Sequence, residues 1–350
     1  MQGNQTSNIS LFGIEINPNL NTPITGPLYQ AYANVGPTWN IIIPASSFFL
    51  VSLFGIILNS FVVIVTIATP TLRGSANYLM ALICFCEVLH ASGHSIFFVI
   101  AVTGKNFVPL LAANLLMIPS IFALCTLMPL MLSAAADRLF AVAAPQIHTK
   151  ICIIHKYLYL GIHTCTCVIL GLFNVYYATK YSLENPNIPT TGCISDLFSG
   201  NVGNVFFIYS SIVNMLTILC YILIWGIIRC KKEGNQETNA RLLRALVCIM
   251  LISVGGYVIN LAVYQAVFGL IINYRVNPIL LWQLAFIAGV LLNIGGASNA
   301  VILYFTSTEY RKTFKKNLTI LAKLFGVKVS ITVTKVSPML PTSSQKKNYK

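Results

Sequence analysis

The feature that most constrains this chain is where its charges are missing. Stretches near residues 41–67, 76–102, 108–140, 157–178, 202–228, 245–269 and 278–305 carry almost no Asp, Glu, Lys or Arg; Glu87 interrupts the second, and Asp137 and Arg138 stand at the end of the third. A bilayer core takes roughly 20 apolar residues per helix, and a charge at its centre costs about 2.5–3.5 kcal/mol. One such run could be the core helix of a soluble domain. Seven in succession leave too little polar surface to clothe a globule in water. Composition agrees, with 56% hydrophobic and only 9% charged residues, against roughly a quarter charged in soluble domains. The expected fold class is all-α, a seven-transmembrane-helix bundle. The net charge of +14 does not point to nucleic acid, because the basic residues fall in short clusters between apolar runs and form no basic face on a folded domain.

Those clusters set the expected orientation. Arg73, Lys150, Lys156, Arg229, Lys231, Lys232, Arg241, Arg244 and a Lys/Arg-rich tail lie on one set of connections, and only Lys105, Lys180 and Arg275 on the other. The positive-inside rule makes the first set cytoplasmic. An odd number of spans then puts the amino terminus outside a plasma membrane, where Asn4-Gln5-Thr6 and Asn8-Ile9-Ser10 are glycosylation candidates at Asn4 and Asn8. The first residues are polar and lack the apolar core of a cleavable signal, so the first span is expected to direct insertion. Residues 1–40, with Pro18, Pro23, Gly26, Pro27, Gly36 and Pro37, read as a flexible extracellular arm. After the spans of 41–305, Thr306-Ser307-Thr308-Glu309 has the form of a capping box. Tyr310, Phe314, Leu318, Leu321 and Phe325 follow at helical spacing among Arg311, Lys312, Lys315, Lys316 and Lys323. A basic amphipathic eighth helix on anionic inner-leaflet lipid is therefore expected over 306–325, and a disordered cytoplasmic tail over 326–350.

Within the spans, an ionisable residue is tolerated only beside partners or water. Glu87 is the clear case, and Asn59 and Asn299 fall at similar depths, so the three form a candidate intramembrane polar cluster. The cluster either switches or merely pins helices together. Asp137-Arg138 marks a membrane boundary, where snorkelling is the ordinary role. His90, His94 and His163 read as scattered on separate spans, with a satisfied packing role as their default. No metal-ligand spacing, nucleophile elbow or phosphate loop is present, so neither an enzyme, a cofactor nor a metal site is expected.

In order along the chain, several of these residues resemble the rhodopsin-like G-protein-coupled receptors. Gly55-x-x-x-Asn59 resembles the first-helix motif, Asn77-Tyr78 with Glu87 ten residues on resembles the second, and Asp137-Arg138-Leu139 with Pro145 resembles the third-helix triad and its trailing proline. Tyr221 resembles the fifth-helix tyrosine, Asn299-Ala300-Val301-Ile302-Leu303-Tyr304 the seventh-helix motif, and Glu309-Tyr310-Arg311 to Phe314 the start of the eighth helix. The flavour is most similar to nematode Srsx-type serpentine chemoreceptors. The resemblance implies a chemosensory receptor for an extracellular small molecule or peptide that activates a heterotrimeric G protein, with membrane lipid and arrestin as further partners. It gives Asp137, Arg138, Tyr221, Asn299 and Tyr304 the coupling and switch roles, with the sixth span swinging outward near Arg241 and Arg244. Glu237 is an acidic candidate to face Arg138.

The departures matter. Val213 lies near the fifth-helix proline position, Gly255-Gly256 replaces the aromatic-Pro segment of the sixth helix, Ala300 the seventh-helix proline and Leu303 its tyrosine, and span four has no tryptophan. Glycine pairs such as Gly255-Gly256 and Gly295-Gly296 also permit kinks, and span three carries Pro109, Pro119 and Pro129, whose interior members should bend it. The family's disulfide reaches the second extracellular loop, where Cys193 stands, but Cys125 lies roughly 25 Å down its helix from Val108 by rise per residue, so the bridge cannot form. Cys193 is then a free thiol or an intermolecular partner. Ser120 stands where amine receptors carry an aspartate, which disfavours a monoamine. His94, Asn114, Ser120, Tyr264, Gln265, Trp282 and Gln283 are the ligand-pocket candidates. The alternative is a transporter or channel using Glu87 as an ion or proton site; it would call for internal repeats and paired broken helices, and the chain has neither.

Overall fold

The computed structural model describes residues 26–198, 200–230, 252, 254–260, 262–263, 266 and 278–324. In chain order the elements are α1 (Pro27–Tyr32), α2 (Trp39–Ala68), α3 (Ser75–Ser92), α4 (His94–Val102), β1 (Val108–Pro109), α5 (Leu110–Ala143), α6 (Pro145–Ile154), α7 (Lys156–Glu184), β2 (Pro189–Thr190), α8 (Gly200–Cys230), α9 (Pro278–Ala297), α10 (Asn299–Thr306) and α11 (Thr308–Leu324). Five helical stretches are long and apolar enough to cross a bilayer: α2, α3 with α4, α5, α7 and α8. The pair α9 and α10, bent by 44°, makes a sixth. Most of 245–269 lies outside the described residues, and the part that is described includes a helical stretch over 255–260. The architecture is an all-α membrane bundle, with Phe54, Ile64, Leu116 and Ile169 turned outward as a lipid-facing perimeter.

The longest helix, α5, is the axis of the packing: α3, α7 and α8 all contact it extensively. Small residues set the closest approaches. A Cβ on Gly171 of α7 would lie 2.0 Å from Thr126 Oγ1, and one on Gly93 would lie 2.4 Å from Ser120 Oγ, so only glycine lets these helices meet. Proline creates a different kind of contact. Pro129 has no N–H to offer the Cys125 carbonyl one turn back, and the Tyr209 hydroxyl of α8 donates to that carbonyl at 3.2 Å instead. The bend between α9 and α10 falls at Ser298, just after Gly295-Gly296 and before Ala300. Glycine supplies it where a proline was missing.

Three expectations are revised. Residues 26–38 are not a loose arm: α1 starts with Pro27 in its first turn, Leu28 is buried, Tyr29 packs on Phe107 with ring centroids 5.0 Å apart, and Asn106 donates to the carbonyls of Tyr32 and Gly36. Pro109 lies in β1, outside the third span. The eighth helix is capped one residue later than the sequence suggested. Ser307 Oγ accepts the Tyr310 N–H at 3.3 Å, while Thr306 Oγ1 turns back to the Ile302 carbonyl. The amphipathic helix therefore runs Thr308–Leu324. The glycosylation candidates Asn4 and Asn8, the basic pair Arg241 and Arg244, Glu237 and the tail over 326–350 lie outside the described residues.

Candidate functional site

At the α11 end, Asp137 is buried and does not pair with its neighbour Arg138. Its Oδ1 receives the Tyr159 hydroxyl of α7 at 3.1 Å and the His148 Nε2 of α6 at 3.0 Å. Pro145 opens α6 and so delivers His148 one turn later. Among the described residues Arg138 makes no ion pair, and its charge acts on the hydroxyls of Tyr221 and Tyr310. Tyr310 ties α11 to the bundle: its hydroxyl shares a 2.8 Å hydrogen bond with Thr66 Oγ1, and Arg311 donates to the carbonyls of Tyr304 and Phe305. Burial pushes the Tyr310 phenol up to about 12, so it stays a hydroxyl donor at neutral pH.

Midway along the bundle, Asn59 Nδ2 donates to the Gly296 carbonyl at 3.0 Å, and Asn299 Nδ2 donates to the same carbonyl at 3.0 Å and to Asn59 Oδ1 at 3.3 Å. Glu87 lies beside this pair. A Cβ on Gly296 would sit 2.4 Å from its Oε2, and the Tyr257 hydroxyl donates to Oε1 at 3.5 Å. One layer therefore joins α2, α3, the stretch 255–260, α9 and the first residue of α10.

Toward the β1–β2 end, His90 and His94 share one face of the second span, their ring centroids 5.1 Å apart. His94 Nε2 meets Asn293 Oδ1 at 3.0 Å, and Ser120 Oγ donates to the His90 carbonyl at 2.7 Å. Among the described residues neither His90 nitrogen has a hydrogen-bond partner, nor does His94 Nδ1. The loop above is organised by Asp196, whose Oδ2 accepts from the Thr191 N–H, the Thr191 hydroxyl and the Thr190 hydroxyl. Burial raises the Asp196 carboxyl above its ordinary range, against those three hydrogen bonds. Burial, with Asp196 nearby, pushes the Cys193 thiol up to about 12. Cys193 is unbridged and receives the Ser195 hydroxyl at 3.2 Å.

The model of the serpentine-type 7TM chemoreceptor family Srsx matches residues 52–318, well over half of the chain and all the layers just described. The chain belongs to the Srsx chemoreceptor family. No curated protein matches it. The Srsx family is a receptor family, so the chain is read as a receptor of the seven-helix, G-protein-coupled-receptor type.

In this Srsx chain the residues singled out from the sequence do not form one pocket. Asn59 and Asn299 are bonded to each other, with Glu87 against Gly296 in the same layer. Ser120 meets span two at the His90 carbonyl and beside Gly93, the residue before His94. Asn114 faces α7, donating to Thr179 Oγ1 at 3.2 Å. Trp282 is buried with Leu28, Ile41 and Cys193 in an apolar cluster. Gln283 lines a cleft on the bundle's flank. Tyr221 is buried and Tyr304 half-buried; Tyr264 and Gln265 lie outside the described residues. Sequence reasoning missed His148, Tyr159, Tyr257 and Asn293. It also read His90 and His94 as lying on separate spans and satisfied, although their spacing of four puts them on one helical face. Among the described residues no three His, Cys, Asp or Glu side chains cluster to hold a metal.

Proposed function

We propose that this Srsx receptor sits in the plasma membrane with its β1–β2 end outside and α11 inside, binds an extracellular ligand, and activates a heterotrimeric G protein through Arg138. The observation that carries the coupling role is the distribution of partners at the α11 end. His148 and Tyr159 occupy the Asp137 carboxylate, so the Arg138 guanidinium is not spent on its neighbour and remains available to a partner. Arrestin would use the same opening. The Lys/Arg asymmetry of the connections supports the orientation. The Asn59, Glu87, Asn299 layer, joined by Tyr257, spans the helices that a ligand would have to rearrange, and its net effect is bounded by the ligand's differential affinity for the two arrangements.

The test is nucleotide exchange on purified G proteins of each class by full-length receptor in nanodiscs. Arg138→Ala should abolish basal and ligand-stimulated exchange at equal receptor concentration. Exchange that persists in the variant, or an ion current through the unaltered chain with no exchange at all, would overturn the reading; the latter would favour a conduction role for Glu87.

A further inference from the structure

A cleft of about 400 Å³ opens on the flank of the bundle between α2 and α9, lined by Asn40, Ile43, Pro44, Gln283, Phe286 and Val290. It faces lipid, since Trp39 and Ile43 at its rim are 73% and 60% exposed. Among the described residues an apolar cluster that packs Leu28 of α1, Cys193 of the loop and Trp282 of α9 together covers the route from above. From the cleft a chain of rings leads inward. Phe286 meets the edge of Phe48 at 4.3 Å, and Phe48 stacks on His94 at 4.7 Å with the planes 5° apart. Gly289 makes room for that ring, because a Cβ there would lie 2.7 Å from Phe48 Cζ.

The polar end of this path is unfinished. Asn293 Nδ2 donates to the Gly289 carbonyl at 2.9 Å, which turns its Oδ1 toward His94. An amide oxygen only accepts, so His94 Nε2 carries the hydrogen and Nδ1 is a bare acceptor. His90, 2% exposed, offers one N–H and one bare nitrogen, and neither has a partner. Native structures rarely leave such groups unmatched without a bound water, ion or ligand. A single group that both donates and accepts fits this pair: its O–H gives to His94 Nδ1 and its oxygen takes from the His90 N–H. An ester or ketone oxygen only accepts and leaves His94 Nδ1 bare.

We infer that the receptor takes an amphiphile with a protic oxygen head, a carboxylic acid or an alcohol, which reaches the His90–His94 pair sideways from the bilayer through the α2/α9 cleft, with Phe48 as the ring it displaces. The inference deepens the receptor reading by naming a ligand class. Its test measures binding alone, so it can fail while G-protein coupling stands, and the reverse.

Full-length receptor in phosphatidylcholine nanodiscs is irradiated with an alkyne-tagged fatty acid bearing a mid-chain diazirine, and the labelled residues are mapped by mass spectrometry. Label should concentrate on residues 40–48 and 283–290. Dodecanoic acid or dodecan-1-ol should halve the label at a concentration on the order of tenfold lower than methyl dodecanoate requires, the worth of about one hydrogen bond. Competition by the acid alone assigns a carboxyl head, and by the alcohol alone a hydroxyl head. Val290→Trp, which fills the cleft, should abolish the label. His94→Phe should erase the preference for a protic head; where that variant does not fold, the ester comparison in the unaltered chain decides. Even labelling over lipid-facing Leu116 and Ile169, or equal competition by the ester, means bulk lipid only and overturns the inference.

Discussion

In the half of the bundle nearer α11, Thr66 bonds Tyr310, Asn59 bonds Gly296 and Asn299, and Asp137 takes hydrogen bonds from Tyr159 and His148. In the half nearer β1–β2, Ser52, His90, His94, Asn114 and Asn260 each bury a nitrogen or oxygen with no partner, and among the described residues no such unmatched buried side-chain atom lies in the α11 half. A bilayer offers no water to repair the deficit, and each unmatched group costs about 1–3 kcal/mol. The contrast separates two tasks. Among the described residues the half assigned to coupling is internally complete and holds Arg138 in reserve, whereas the half assigned to ligand binding is left to be completed by what binds there.

The largest effect expected on this contrast concerns the lid over the open half. With its thiol pushed up to about 12 by burial and by Asp196, Cys193 should react with a maleimide on the order of a thousandfold more slowly at neutral pH than an ordinary cysteine, because only the thiolate attacks. Asp196→Ala, which unfastens Thr190 and Thr191, should restore rapid labelling; fast labelling of the unaltered chain would show that the half is open from above. In the complete half, Asp137→Ala strands His148 and the Tyr159 hydroxyl and should cost about 3 kcal/mol in thermal or denaturant unfolding; an unchanged midpoint would break the comparison. Tyr310→Phe should cost about 1 kcal/mol, seen as earlier proteolysis of α11, and Thr66→Val should add little to it, since the two share one bond. The smallest effect is in pH. Because the folded Asp196 carboxyl is raised above its ordinary range, the fold holds that proton more tightly. The associated stability is full below the ordinary carboxylate range and lost as pH rises through the raised value. Hydrogen exchange at Gly192 and Cys193, corrected for intrinsic rate, should be more protected at pH 4 than at pH 7.

Much of the frame was readable from the chain. Charge-free intervals agree with the ends of the described membrane helices to within about a turn, except that the fourth helix runs on from 178 to Glu184, and equal depth brought Asn59 and Asn299 into one layer. What periodicity does not give is how each helix is rotated against its neighbours. Glu87 could therefore be recognised as an embedded acid, while its contacts with Tyr257 and Gly296 could not. Asp137 drew attention as part of a pair with Arg138, yet its partners come from α6 and α7, and nothing local to Asp137 points to His148 eleven residues on. Other misses were avoidable. His90 and His94 are four residues apart on one span, and Gly26-Pro27 before Leu28 and Tyr29 is a helix start. The cap at Ser307 differs from the Thr306 pattern by one residue, the usual margin at a helix end.

The central claim is that the ligand-side half is energetically incomplete at His90. The direct measurement is thermal unfolding of ligand-free, full-length receptor with and without His90→Met, which removes two unmatched nitrogens and roughly keeps the volume. The account predicts a higher midpoint, by about 1–2 kcal/mol of added stability. A lower midpoint would mean that the imidazole is already satisfied, and the contrast between the two halves would not hold.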